Sequence, residues 1–209
     1  MSRIALFGAS GRTGTRLLAA ALAAGHTVRA LVRDPSRLPS RVGLEVVVGD
    51  VLNVMDVASV VQGTDGVLAT LGGGTTADPG TSRSQGMRNI IAAMERHGVS
   101  RIVGLGGAGV LDAANGEGLR SEQPGYPAVF KRVSAEHVAA CAALQASSLD
   151  WTYVGPPDIP DGQATGSYRI SANVFPDKGK ALSTGDLAAF MLEEFSARRF
   201  VRQRVGIAT

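Results

Sequence analysis

A glycine-rich turn near the amino terminus, GASGRTG at residues 8–14, constrains the fold of this chain more than any other stretch. It follows a short apolar run, IALF, and precedes TRLLAAALAAG, whose alanine and leucine content is typical of a helix. A strand, a GxxGxxG turn and a helix in this order bring the free N–H groups and partial positive charge of the helix N-terminus to the turn. This arrangement favours a phosphate ligand, and a turn that only caps the helix is the alternative.

Each glycine of this turn has an expected task. Gly8 permits a sharp turn, Gly11 lets the backbone approach a pyrophosphate, and Gly14 lets the helix pack closely on the strand. Side chains that could add phosphate contacts stand in the same turn, at Ser10, Arg12 and Thr13.

Apolar runs alternate with helix-like stretches along the whole chain. The runs are short, rich in β-branched residues and nearly continuous in hydrophobicity, which is typical of parallel strands covered on both faces. They lie at 3–8, 27–32, 44–50, 65–72, 101–107 and 150–157, and amphipathic helices are predicted at 12–24, 53–62, 84–97, 128–146 and 184–197. RQRVGIA near the carboxyl terminus could add an edge strand. The pattern predicts an α/β fold of the Rossmann type, a doubly wound, mostly parallel sheet with helices on both faces.

The chain is expected to form a single domain over residues 1–209, because no repeat or low-complexity linker divides it. Two long loops, 73–83 and 108–127, follow predicted strands at the carboxyl ends where open α/β sheets bind ligands. Together with 156–167 they are predicted to form a substrate cleft.

Composition narrows the choice of partners. Hydrophobic residues make up 44% and charged residues 19%, and the net charge of +3 is spread along the chain, which favours small anionic ligands over nucleic acid. The lone cysteine, Cys141, excludes an internal disulfide. No signal-peptide core and no apolar run of about 18 residues is present. We therefore expect a cytoplasmic protein with no membrane partner and no metal site.

The end of the second strand bears on the choice of nucleotide. Its sequence, LVRDPSR, puts Arg33 directly after the strand, where a guanidinium can bind the 2′-phosphate of NADP(H), with Ser36 and Arg37 closing around it. The alternative is NAD, with Asp34 accepting from the ribose hydroxyls. We predict NADP(H). Asp50 and Val51 after the third strand are expected beside the adenine, and LGGG at 71–74 can border the ribose and pyrophosphate.

Several longer motifs then carry a family resemblance. IALFGASGRTG, LVRDPSRLPS, VVVGDVL, GMRNIIAAMERHGV and GPPDI together resemble the NADPH-dependent biliverdin-IXβ reductase or flavin reductase family of atypical short-chain dehydrogenases. The likeness spans nearly the whole chain and is strongest over 3–105. It implies an enzyme that passes hydride from NADPH to a flavin, tetrapyrrole or similar flat acceptor, as a monomer or small homo-oligomer. The predicted cofactor-binding residues are Gly8, Ser10, Gly11, Arg12, Thr13, Gly14, Arg33, Ser36, Arg37, Asp50, Val51, Leu71, Gly72, Gly73, Pro157 and Ile159.

The acceptor end departs from the family pattern at three positions. Gly107 stands where the family has a serine after the fifth strand, Asp158 replaces a histidine after two prolines, and Gly74 replaces an arginine beyond the fourth strand. The loop 108–127 is also longer than in the family. The cofactor end thus keeps the family motifs, and the substrate end does not.

The catalytic residues stay open, with Asp158, Gly107 and His137 as candidates. Tyr126 and Lys131 invite comparison with the Tyr-x-x-x-Lys pair of short-chain dehydrogenases, but they are five residues apart instead of four, so they do not align on one helix face. The predicted function is hydride transfer from NADPH to a flat acceptor. The alternatives are a redox sensor of the NmrA type that binds the dinucleotide without turning it over and, more weakly, a relative of nucleotide-sugar epimerases.

Overall fold

The computed structural model describes residues 1–209 and contains eight strands and five α-helices. The strands are β1 Arg3–Phe7, β2 Thr27–Val32, β3 Leu44–Val48, β4 Gly66–Ala69, β5 Arg101–Leu105, β6 Asp150–Gly155, β7 Arg169–Ala172 and β8 Gln203–Ala208. The helices are α1 Arg12–Ala23, α2 Val54–Val61, α3 Ser84–His97, α4 Lys131–Ala146 and α5 Thr184–Ala197.

All eight strands form one sheet in the order β3-β2-β1-β4-β5-β6-β8-β7. Every neighbouring pair is parallel except β7 and β8, which are antiparallel. The chain runs outward in one direction through β2 and β3 and then crosses to β4 on the other side of β1. The predicted Rossmann-type α/β fold is confirmed.

Helices cover both faces of the sheet, which explains why the strands are apolar without alternation. In β1, Ala5 and Phe7 face the core formed with α2, α3 and α4, whereas Ile4 and Leu6 face the core formed with α1 and α5. All four of these side chains are buried. Most strands are therefore buried on both faces.

The predicted helices agree with the structure to within a few residues. The stretches 84–97 and 184–197 match α3 and α5, whereas α4 starts later than predicted because 128–130 form a 3-10 turn. At the start of α2, the side chain of Asn53 accepts from the N–H groups of Met55 and Asp56 and so fixes the first turn.

Two expectations about the last strands need correction. RQRVGIA does not form an edge strand, because β8 lies inside the sheet between β6 and β7. The edge strand is β7, which sequence reasoning missed. Its four residues, RISA, are only half-buried or exposed and pair with one neighbour, so they lack the apolar run that marks the other strands.

The long loops all lie on the side of the sheet where the parallel strands end. The segments 70–83, 106–130 and 156–168 follow the carboxyl ends of β4, β5 and β6. The second loop is anchored from β8, where the Arg204 guanidinium donates to the Val110 carbonyl at 2.8 Å and to the Asp112 carboxylate at 2.8 and 3.0 Å. No helix combines the length and the apolar character needed to cross a bilayer.

Candidate functional site

The turn between β1 and α1 needs glycine at two positions for reasons internal to the protein. Gly8 has a φ of +81°, and a Cβ there would lie 2.3 Å from the carbonyl oxygen of Thr70. A Cβ on Gly14 would lie 2.0 Å from the carbonyl oxygen of Gly8. These glycines let the end of β4 and the first turn of α1 approach the loop closely.

Gly11 is different, because a side chain there would require only a small shift of the protein. Its φ of −79° and ψ of 168° suit any residue. The one atom near its Cβ position is the carbonyl oxygen of Gly8, at 3.3 Å. A side chain on this exposed residue would point away from the protein, into the space in front of α1.

The first turn of α1 offers free N–H groups to that space. The helix begins at Arg12 with no acidic residue in its first turn and no side-chain cap from Gly11. The N–H groups of Arg12 and Thr13 have no acceptor within the protein. Free N–H groups at the positive end of a helix bind phosphate. The loop and helix therefore fit the pyrophosphate of a dinucleotide, and a Cβ at Gly11 would fill the space that it needs.

A guanidinium and a carboxylate lie side by side after β2, and one oxygen of the carboxylate is already hydrogen-bonded within the loop. Arg33 is exposed and lines the cleft. The carboxylate of Asp34 accepts from the N–H and the hydroxyl of Ser36, at 3.0 and 2.7 Å, and these hydrogen bonds lower the pKa of Asp34. Arg37 reaches back to the first loop, where its guanidinium donates to the carbonyl of Ser10 at 3.4 Å.

The segment after β3 is held in place by helices behind it. The N–H of Asp50 donates to the Asp56 carboxylate at 2.9 Å, and the Asp50 carboxylate accepts from the N–H of Leu52 at 2.9 Å. The Asn89 side chain, on α3, donates to the Val51 carbonyl at 2.9 Å. Asp50 and Val51 are thereby fixed at the rim of the cleft.

The structure brings many of the predicted cofactor residues together. One cleft at the carboxyl edge of the sheet is lined by Gly8, Ser10, Arg33, Asp50, Val51, Leu71 and Gly72, with Phe7, Leu31, Val32, Gly49 and Ser82 completing the lining. Others flank it: Gly11, Arg12, Thr13 and Gly14 in the turn and α1, Ser36 and Arg37 after β2, and Gly73 after β4. Pro157 and Ile159 lie apart from it, beyond β6, and Ile159 packs against the core.

Of the three catalytic candidates, two lie against each other and one does not. A Cβ on Gly107 would lie 3.5 Å from Cδ2 and 3.9 Å from Nε2 of His137, so the imidazole edge faces the end of β5. Burial, together with the positive charge of Arg83, lowers the pKa of His137 to about 3. Asp158 is exposed, and its carboxylate accepts from the N–H of the adjacent Ile159 at 2.9 Å.

The loop after β4 has no room for the arginine of the related family. Gly74 has a φ of +61°, and a Cβ there would lie 2.2 Å from the carbonyl oxygen of Asp78. A different arginine occupies this region, since the Arg83 guanidinium donates to the carbonyls of Gly73 at 2.9 Å and Pro79 at 3.2 Å. Burial lowers the pKa of Arg83.

Tyr126 and the start of α4 show no short-chain dehydrogenase pair. The hydroxyl of Tyr126 lies 2.7 Å from that of Ser134. Lys131 is exposed, and Arg132 spans to the neighbouring loop, donating to the carbonyl of Ala77 at 2.8 Å. These contacts serve to position the loops.

The fold and this cleft define a Rossmann-type dinucleotide-binding protein of the oxidoreductase class. The chain belongs to the NAD(P)H-binding family, whose sequence profile matches residues 8–198. A nicotinamide cofactor is therefore supported by both the site and the family.

Individual relatives agree with this assignment and with the resemblance found in the sequence. A Burkholderia pseudomallei protein, proposed to be exported, has a structure with a TM-score of 0.85 at 30% identity, each chain covering 100% of the other. A Streptococcus pneumoniae protein, proposed to be an NADH-flavin reductase, has a TM-score of 0.83 at 23% identity, over 100% of this chain and 99% of that one. The anaerobilin reductase ChuY of Escherichia coli O157:H7 has a TM-score of 0.79 at 24% identity, over 99% and 96%.

Curated relatives include a longer enzyme. The 3-beta-hydroxysteroid dehydrogenase of Mycolicibacterium neoaurum is 36% identical over 114 residues, which cover 49% of this chain. The matched region spans only 31% of that enzyme's length.

Sequence reasoning missed three residues in and around the site: Ser82, which lines the cleft, Arg83, which donates to the carbonyl of Gly73, and Tyr153 of β6, whose hydroxyl lies 3.2 Å from Nδ1 of His137. Ser82 and Arg83 precede α3 and carry no motif, so no signal singled them out. A signal for Tyr153 was present in the glycines of GLGG at 104–107, which imply a bulky neighbour.

Proposed function

We propose that this protein is an NADP(H)-dependent oxidoreductase that passes a hydride to a flavin or a similar flat acceptor. The observation that carries the proposal is the bare backbone after the carboxyl ends of β4 and β5, where Gly72 lines the cleft and Gly73 and Gly107 likewise carry no side chains. A flat ring system can lie closer to such a floor than to one built of side chains. The free guanidinium of Arg33 supports NADP(H) over NAD(H).

The proposed reaction asks little of side chains. When bound, NADPH would supply a hydride, which carries two electrons and one proton, to an atom such as N5 of a flavin, and solvent would supply the second proton. The chain must hold the two rings in contact, at about 3–3.5 Å, and exclude water. The names of two fold relatives, a flavin reductase and an anaerobilin reductase, point in the same direction, although at 23% and 24% identity they establish the fold alone.

The test is NADPH oxidation with a panel of acceptors: riboflavin, FMN, FAD, a quinone and biliverdin. We expect turnover with at least one of them. Retained NADPH binding without turnover of any acceptor would contradict the proposal and would instead fit a redox sensor.

We expect the order of acceptors to follow from the negative charge of Asp158, in the loop after the carboxyl end of β6. We expect riboflavin at or above FMN, and biliverdin last, because the exposed Asp158 carboxylate repels the phosphate of FMN and the two propionates of biliverdin. Asp158→Asn should raise kcat/KM for FMN and biliverdin and leave riboflavin unchanged. Biliverdin turning over as fast as riboflavin in the wild type would contradict this order.

A further inference from the structure

Two glycines of the segment 104–107 make room for one aromatic ring. A Cβ on Gly104 would lie 2.9 Å from Cδ2 of Tyr153, and a Cβ on Gly106 would lie 2.5 Å from its Cε1. Tyr153 stands on β6, directly beside Gly104 in the sheet register. Its side chain is 1% exposed. The ring is therefore locked over β5, and its hydroxyl has little freedom to move.

The hydroxyl of Tyr153 has one hydrogen-bond partner, Nδ1 of His137, at 3.2 Å. A buried hydroxyl that only accepted would leave its own proton without a partner, which is costly. We therefore assign the hydroxyl as donor and Nδ1 as acceptor. The imidazole is neutral, so its single proton resides on Nε2.

Nε2 of His137 lies near Gly107, directly after the carboxyl end of β5, on the side of the sheet where open α/β folds bind their ligands. The Cβ position of Gly107 is 3.9 Å from Nε2. The φ of −145° and ψ of 159° at Gly107 are extended, so the conformation does not require a glycine. The glycine leaves the imidazole edge without the methyl group that any other residue would place 3.5 Å from its Cδ2.

We propose that His137 is a catalytic residue that donates a hydrogen bond from Nε2 to the acceptor, and that Tyr153 is a positioning residue that holds its tautomer. The acceptor class that suits such a donor has a carbonyl oxygen conjugated to the hydride-accepting atom, as in quinones and the flavin ring. This inference rests on the proposed function.

The role of the donor follows from the charge that the acceptor gains. When the acceptor takes the hydride, its conjugated oxygen becomes more negative, and the N–H of His137 stabilises that charge before solvent protonates the oxygen. A neutral imidazole can act in this way as an electrophile without releasing its proton. Because burial and the nearby Arg83 keep His137 neutral, the donor is available over the whole physiological pH range.

The first test reads the tautomer without turnover. Nitrogen NMR of protein labelled at its three histidines should show His137 protonated at Nε2 and unprotonated at Nδ1, with His137→Gln identifying the signals by their loss. Tyr153→Phe should give a mixture of both tautomers. A wild-type His137 protonated at Nδ1 would overturn the proposal.

The second test uses kinetics. His137→Leu should lower kcat by about 100-fold, the cost of losing one preorganised donor, with the KM for NADPH unchanged. His137→Gln, which can place an amide N–H near the position of Nε2, should recover part of that loss. An unchanged kcat in His137→Leu would overturn the proposal. A wild-type protein that turns over no acceptor would overturn the proposed function instead, and the NMR result would still decide the tautomer.

Discussion

At Gly11 the missing side chain matters to the ligand more than to folding, because its backbone conformation suits any residue and the one close neighbour of its Cβ position, the Gly8 carbonyl oxygen at 3.3 Å, needs to move by only a few tenths of an ångström. We expect Gly11→Val to remain folded, at a cost of about 1 kcal/mol, and to weaken NADPH binding by roughly 100-fold or more. Thermal unfolding and calorimetric titration measure the two effects.

Gly14→Ala is the matched control for that variant. Its Cβ would lie 2.0 Å from the carbonyl oxygen of Gly8, so it should lose about 3 kcal/mol or more of stability. If Gly11→Val bound NADPH as tightly as the wild type, the glycines would serve the turn alone.

Arg33 is expected to decide between the two nicotinamide cofactors. A charge-assisted contact with the 2′-phosphate contributes about 1.5–3 kcal/mol, so Arg33→Ala should bind NADPH roughly ten- to a hundredfold more weakly and bind NADH unchanged. Arg41→Ala removes the same charge from an exposed position outside the cleft lining and should alter neither affinity. Equal wild-type affinities for NADPH and NADH would contradict the assignment.

At the scale of elements, the segment directly after β5 contains two adjacent glycines with different tasks. Gly106→Ala would place its Cβ 2.5 Å from the Tyr153 ring, and we expect a loss of about 1–3 kcal/mol from this overpacking. Gly107→Ala meets no atom closer than 3.5 Å and should keep the wild-type stability. Its methyl group would cover the edge of His137, however, so its kcat should fall. Denaturant unfolding of both variants measures the stability, and acceptor kinetics measure kcat. Equal losses of stability in the two variants would contradict the different roles assigned to Gly106 and Gly107.

Sequence periodicity predicts the strands and helices well where burial is uniform. Strands covered on both faces read as continuous apolar runs, so β1, β4 and β5 are visible in the sequence. β7 is not, because RISA at an edge carries no such run. The interior place of β8 follows from its pairing with β7 and could not be predicted while β7 was unknown.

Some residues of the candidate site can likewise be predicted from the sequence, and others cannot. Residues in the Gly-rich turn and directly after β2, β3 and β4 can be placed from chain order, because the carboxyl ends of parallel strands share one edge. The hydrogen bond between His137 on α4 and Tyr153 on β6 depends on how the helix packs against the sheet, which chain order does not determine. The sequence contains both residues but nothing that pairs them.

At the scale of the whole molecule, the neutral state of His137 links stability to pH. The folded protein keeps the imidazole unprotonated to about pH 3, whereas the unfolded chain protonates it below about pH 6.5. The unfolded state therefore binds more protons between these values, and stability falls as the pH drops from about 6.5, by at most about 1.4 kcal/mol per unit. The positive charge of Arg83 adds to the effect of burial in disfavouring the protonated imidazole.

Urea unfolding at about pH 7.5 and about pH 5.5 tests this link. The wild type should lose roughly 1 kcal/mol more than His137→Gln between the two pH values. Three carboxylates have lowered pKa values in the folded protein: Asp34, Asp161 and Asp186. Their protonation lowers the stability only below about pH 4, so it does not affect the comparison between these two pH values. Equal pH dependence in both proteins would contradict a neutral His137.

The interior position of β8 also sets the order in which the nascent chain can fold. β7 pairs with no strand but β8, and β8 separates it from β6. During synthesis the first six strands can assemble while the ribosome is still translating α5. β7 stays unpaired until residues 203–208 leave the exit tunnel and form β8 beside β6. β8, which emerges after the other seven strands, thus completes the sheet. If the ribosome stalls before β8 is made, the unpaired side of β6 stays exposed to chaperones and to aggregation.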